Sequence, residues 1–167
     1  MPKRTKVALV TGATKGIGYY VGREIVKRMA QTTTIMTSRE NVNGFSAMLG
    51  MELGAGARDR SKFIKMDVRD VEAVELKKTK IVKDFGGLDI LVNNAGIYKV
   101  PDLNPAVFKR QVHEVMSTNY WGTKNVITSF FPHFKPHSRI VNITSNLGHI
   151  VSENCAEEHL KAALRIK

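Results

Sequence analysis

The stretch from Lys6 to Gly18, KVALVTGATKGIG, constrains the fold more than any other part of this chain. Val7-Ala8-Leu9-Val10 is apolar at consecutive positions, without the alternation of a half-exposed strand, so it reads as a buried strand. Glycines follow at 12, 16 and 18, and then a helical stretch carries Val21, Ile25, Val26 and Met29 on one face. A strand, a glycine-rich turn and a helix together make a phosphate cradle. Glycines let the backbone bend tightly and approach a pyrophosphate closely. The helix N-terminus adds N–H groups and the positive end of its dipole. The chain is therefore expected to bind a dinucleotide.

The rest of the chain repeats the alternation. Strands are expected at Val7–Val10, Thr33–Thr37, Phe63–Met66, Ile90–Val92 and Ile140–Ile143. Helices are expected at Gly18–Ala30, Val42–Leu53, Val71–Phe85 and Pro105–Phe131, the last bent near Asn119 or Gly122 and ended by Pro132 and Pro136. Gly54-Ala55-Gly56 reads as a flexible connection. This order implies a Rossmann-type α/β fold, a doubly wound parallel sheet of about five strands with helices on both faces. With 167 residues, 43% of them hydrophobic, a single domain over 1–167 is expected.

Composition sets several functions aside. The apolar runs are too short to span a bilayer, and the basic N-terminus leads into a strand and a glycine turn rather than a signal peptide. One cysteine, Cys155, excludes an internal disulfide and fits a reducing compartment, so a cytoplasmic location is expected. The net charge is +11, but the bases are scattered, and Lys77-Lys78, Lys80 and Lys83 belong to the solvated face of a helix. No aromatic-plus-basic recognition motif accompanies them, so nucleic acid is not expected as the main partner. Prolines 132 and 136 break the helix that would align His133 with His137, and Cys155 with His159 lacks an obvious third ligand, so no metal is expected.

Gly-x-x-x-Gly-x-Gly is not the common Gly-x-Gly-x-x-Gly fingerprint, and glycine spacing alone is a weak signal. The full string TGATKGIG is more specific. Leu88 to Gly96, LDILVNNAG, follows as a buried strand entering Asn93-Asn94-Ala95-Gly96. Thr118-Asn119 lies on the next helix, and Arg139 to Gly148, RIVNITSNLG, is a further strand ending near Ser145. Together, in this order, these segments resemble the short-chain dehydrogenase/reductase family, with the NADPH-dependent carbonyl reductases as the nearest branch. The resemblance runs from about Thr5 to at least Gly148. It implies that Gly12, Thr14, Lys15, Gly16, Ile17 and Gly18 bind the cofactor. It likewise implies that Asn94, Ala95 and Gly96 steady the sheet beside it and that Asp67-Val68 contacts the adenine.

Cofactor choice can be read at the end of the second strand, where an acid suits the ribose hydroxyl of NAD and a base suits the 2′-phosphate of NADP. Here the strand ends Thr37-Ser38-Arg39, with no acid before Glu40. Arg39 offers a planar fork for phosphate, and Lys15, within the glycine turn, adds a point charge. NADP-preferring members of the family carry bases at these two places, so NADP(H) is the expected cofactor.

The resemblance also implies the chemistry: reduction of a small-molecule carbonyl to an alcohol. In the family a tyrosine is the acid, and a lysine four residues later lowers its pKa. A serine, here Ser145, bonds the carbonyl oxygen, and an asparagine, here Asn119, anchors a water. The family's Tyr-x-x-x-Lys follows the serine strand. After Ser145 this sequence has no tyrosine. Tyr120-x-x-x-Lys124 fits the spacing but precedes the serine, and it reads as a coincidence on the long helix. The tail from Ser152 to Lys167 resembles a helical insertion of monomeric carbonyl reductases. The chain is accordingly expected to be an incomplete form, cut before the catalytic pair and lacking the last strands. The alternative is a non-catalytic NADP-binding module. On either reading the fifth strand is expected to be an exposed, β-branched edge that promotes self-association, whereas a full-length form could be monomeric.

Overall fold

The computed structural model describes residues 5–40, 49 and 52–146. Strands β1 (Lys6–Val10), β2 (Thr32–Ser38), β3 (Ser61–Lys65), β4 (Leu88–Asn93) and β5 (Phe134–Asn142) form one sheet in the order β3-β2-β1-β4-β5. All four pairings are parallel; Ala8, for example, lies opposite Thr34 on one side and Ile90 on the other. The chain winds outward from β1 to β3, then returns to place β4 and β5 on the other side. The order therefore reverses between β1 and β4, and such a reversal opens a crevice at the carboxyl ends of the strands.

Burial explains the unbroken apolar run in β1. Val7 and Leu9 join a cluster with Ile35, Leu88 and Leu91, while Val10 joins a second cluster with Met36 and Val92. The first cluster is covered by α3 (Val71–Phe85), through Val74 and Ile81, and by α5 (Thr123–Phe130), through Val126 and Phe130. The second is covered by α1 (Gly16–Arg28), through Tyr19, Val21 and Ile25. Each face of the sheet thus needs its own helical layer. Phe130 is fully buried, and truncating it to alanine would cost about 3–5 kcal/mol.

Helix boundaries follow capping chemistry. Asp70 starts α3 by accepting from the Ala73 N–H at 2.9 Å, and Gly86, at φ 72°, stops it in the left-handed conformation. Asn104 caps α4 (Pro105–Met116), with Pro105 in its first turn. The expected bend in the long helix takes the form of a π-helical turn, Ser117–Gly122, between α4 and α5.

Four expectations need correction. Gly54-Ala55-Gly56 is not a loop: Gly54 caps a short helix, α2 (Ala55–Arg60), which leads directly into β3. The strand β3 runs earlier than expected, and Met66 lies just past its end. Pro136 does not end a helix. The helical stretch closes with a 3₁₀ turn, Phe131–His133, and Pro136 lies within β5. The strand expected at Ile140–Ile143 is β5, which begins at Phe134 and ends at Asn142; its start is irregular, because Leu88 pairs with Phe134 but Ile90 pairs with Arg139, which loops out the intervening residues. His137 takes φ 65° in that bulge.

As expected, β5 is an edge of the described sheet, with Ile140, Val141 and Ile143 exposed. No described helix is long and apolar enough to cross a membrane. The helix expected at Val42–Leu53 falls largely outside the described residues, as do Gly148, Cys155, His159 and the tail from Ser152.

Candidate functional site

The crevice at the β1/β4 switch is a cleft of about 460 Å³, within the ~300–1,000 Å³ usual for small-molecule sites. Its floor is the turn between β1 and α1, which is bonded to the chain on both sides. The Ala13 N–H donates to Thr37 O at 2.8 Å, and the Thr11 N–H donates to Val92 O at 3.0 Å. The Thr11 hydroxyl oxygen accepts from the Asn94 and Ala95 N–H groups, each at 3.0 Å. The Asn94 side chain in turn donates to the carbonyls of Thr11, at 3.0 Å, and Gly12, at 2.9 Å.

This stitching explains two of the motif glycines. At Gly12, φ is 62° and a Cβ would lie 2.8 Å from the Ala95 Cα. At Gly18 a Cβ would strike the Asn94 amide and approach the Gly12 carbonyl to 2.6 Å. Both positions are fixed by close packing of the turn against Asn94-Ala95, not only by the approach of a ligand. Around Gly16, by contrast, a Cβ would meet nothing within 4 Å. Lys15 caps α1 without supplying a side-chain acceptor, and no acid stands in the first turn. The opening N–H groups of the helix are therefore not engaged by a capping side chain and suit an anion.

The other expected residues fall into two groups. Gly12, Thr14, Lys15 and Ile17 line the turn side of the cleft, Arg39 lines it beyond β2, Asp67 and Val68 beyond β3, and Asn94, Ala95 and Gly96 beyond β4. Gly16, Gly18, Asn119 and Ser145 are not part of that lining. Asn119 accepts from the Ile97 N–H at 2.8 Å and donates to the Ile97 carbonyl at 2.9 Å, so it ties the π turn to the loop that follows Gly96. Ser145 is exposed just beyond the carboxyl end of β5. The Tyr120–Lys124 spacing does not make a pair: the Lys124 ammonium lies 5.0 Å from the Trp121 ring centre, and Tyr120 meets the same indole edge-on.

Electrostatics divides the cleft. Lys15 and Arg39 are exposed at its lip. The carboxylate of Asp67 is gripped by Arg69, with Nε at 3.0 Å from Oδ1 and Nη2 at 2.6 Å from Oδ2. That grip, first of all, holds the Asp67 carboxyl below the usual carboxylate range, and burial opposes it in part.

Sequence reasoning missed Thr11, Arg69 and Thr118. Thr11 could have been found from its place beside a glycine turn, where threonine hydroxyls commonly bond backbone. Arg69 stands only two residues from Asp67, a spacing at which an arginine can fold back on a carboxylate. Thr118, which stands beside Asn119 in the motif, lines the cleft from the π turn.

Comparison with known proteins agrees with this geometry. Residues 6–156 match the short chain dehydrogenase family. Mouse carbonyl reductase [NADPH] 3 is 36% identical over 95% of this chain, and pig carbonyl reductase [NADPH] 1 is 37% identical over 95%. The alignments cover 55% and 53% of those proteins, so the chain spans about half the length of the curated relatives it matches. Among solved structures, menthone neomenthol reductase from Mentha piperita superposes with a TM-score of 0.77 at 30% identity, covering 96% of this chain and 72% of that one. With its turn, switch-point cleft and parallel sheet in place, the chain belongs to the short-chain dehydrogenase family.

Proposed function

We propose that residues 1–167, read as a single dinucleotide-binding domain, bind NADP(H) in this cleft and supply the cofactor side of the reduction of a small-molecule carbonyl to an alcohol. The observation that carries the reading is that one cleft is lined by two bases, Lys15 from the β1–α1 turn and Arg39 just beyond β2, with Ser38 where an acid would favour NAD. The Ser38 hydroxyl is engaged locally, accepting from the Glu40 N–H at 3.0 Å. The names of the mouse and pig relatives point the same way.

The residues present fit such a cofactor. The uncapped start of α1 and the open side of Gly16 suit a pyrophosphate. Lys15 and Arg39 suit the 2′-phosphate, while Asp67 and Val68 suit the adenine end. When bound, the reduced nicotinamide supplies a hydride. Ser145, at the carboxyl edge of the sheet, would donate to the carbonyl oxygen and favour its developing negative charge. The side chain of Asn119 bonds Ile97 twice, which leaves one amide N–H and one oxygen lone pair to hold a water. Its first task is thus to fix the loop beside the cleft.

Titration of the chain with NADPH and NADH, followed by cofactor fluorescence, tests the reading. Two charge-assisted contacts to the 2′-phosphate predict tighter NADPH binding by at least about tenfold. Equal affinity, or no binding of either, overturns it.

A further inference from the structure

Five charged residues line the adenosine end of the cleft: Lys15, Arg39 and Arg69 are positive, and Glu40 and Asp67 are negative. Without Arg69 the two remaining bases would face two acids, and the lip would carry no net charge to attract a phosphate. Arg69 changes this balance through geometry. Its guanidinium forks onto both oxygens of Asp67, and its own backbone N–H donates to Asp67 Oδ1 at 3.0 Å. A planar, bidentate pair of this kind is specific in geometry and nearly neutral as a unit. Asp67 lies close enough to Arg39 for that charge also to help keep it ionised. If Arg69 were absent, the carboxylate would be open to Arg39 and would draw that base away from the cofactor's phosphate.

We propose that Arg69 is a specificity-determining residue that acts through Asp67. By occupying and neutralising that carboxylate, it leaves Arg39 and Lys15 available to select a 2′-phosphorylated adenosine. The inference rests on the reading that the cleft takes NADP(H), and it adds a residue that need not touch the cofactor. Arg69 is a positioning residue in this account, and Asp67 is the group it masks.

The test compares 2′,5′-ADP with 5′-AMP by calorimetric titration of the full chain at low and moderate salt. Their affinity ratio cancels every contribution of the adenine itself. Loss of one partly screened charge near the phosphate predicts that Arg69→Gln lowers the ratio about three- to tenfold, with the effect shrinking as salt rises. Arg69→Lys keeps the charge and should stay near the wild-type ratio. The decisive variant is Asp67→Asn combined with Arg69→Gln, which should return the ratio to within about twofold of wild type, because no acid remains to be masked. Asp67→Asn alone retains Arg69 and should hold or raise the ratio, which covers the case of a poorly folded double variant. An unchanged ratio in Arg69→Gln overturns the inference. So does a double variant that stays low, since Arg69 would then act on the phosphate directly. A wild-type chain that does not distinguish the two nucleotides overturns the cofactor reading itself, and this inference with it.

Discussion

Replacing Thr11 by valine isolates the interaction that joins the phosphate turn to the Asn94-Ala95 loop. The side chain is 1% exposed, and valine preserves its shape, so packing changes little. What is lost is the acceptor for two backbone N–H groups, those of Asn94 and Ala95, each 3.0 Å from the Thr11 oxygen. The hydroxyl's own donation to Val92 O is long at 3.5 Å, and that carbonyl already receives the Thr11 N–H, so this third bond adds little. A net hydrogen bond contributes about 1 kcal/mol, and a donor stranded in a partly buried place costs about 1–3 kcal/mol. The two donors together predict a loss of roughly 2–3 kcal/mol for Thr11→Val. A domain of this size loses about 2–4 °C of Tm per kcal/mol, so the melt should fall by about 5–10 °C. Urea unfolding followed by circular dichroism would measure it, with Thr11→Ser as the control that keeps the oxygen. Thr11→Val within about 0.5 kcal/mol of wild type would refute the reasoning, as would an equal loss in Thr11→Ser.

Three further outcomes are expected. Val141→Lys places a charge on the exposed outer strand, and light scattering should show less self-association than wild type; unchanged association would mean that β5 is not the contact edge. The 167-residue chain should not reduce carbonyls at a rate typical of its family, since no tyrosine follows Ser145. NADPH-dependent turnover abolished by Ser145→Ala would contradict this, and loss in Tyr120→Phe would reinstate the earlier pair. Stability should also depend on acid through Asp67, whose folded carboxyl ionises more readily than its unfolded one because of Arg69. That contribution is fully present above the ordinary aspartate value of 3.8 and fades as pH drops through the lower folded value. Melts between pH 7 and pH 3 should therefore fall less steeply in Arg69→Gln than in wild type, and equal slopes would count against the Asp67–Arg69 pair.

The parts of the fold that were legible in the sequence are those fixed by local rules. The run Val7–Val10 has no polar position, and only a strand covered on both faces tolerates that. Helix α3 was readable from end to end because Asp70 and Gly86 mark its limits chemically. The bend at Asn119–Gly122 was readable as a bend, although not as a π turn. Long-range features were not legible. Pro136 reads as a breaker, yet a bulge, with His137 at positive φ, lets β5 pass through it to meet β4. Asp89, in the middle of an apolar string, is buried because its carboxylate accepts from the Val7 N–H at 2.9 Å and pairs with Lys135. Gly18 looked like a ligand contact, whereas its nearest constraint is Asn94, distant in sequence. Such pairings depend on which strands become neighbours, and periodicity carries no record of that.

The central claim is that Arg39 and Lys15 make this cleft select a 2′-phosphate. It is tested most directly by Arg39→Asp in the full chain, titrated with NADPH and NADH under one salt condition. The change replaces an attraction to the phosphate with a repulsion while restoring an acid suited to a ribose hydroxyl. NADPH affinity should fall by about 10- to 100-fold, and NADH affinity should hold or rise. An equal loss for both cofactors would contradict the account.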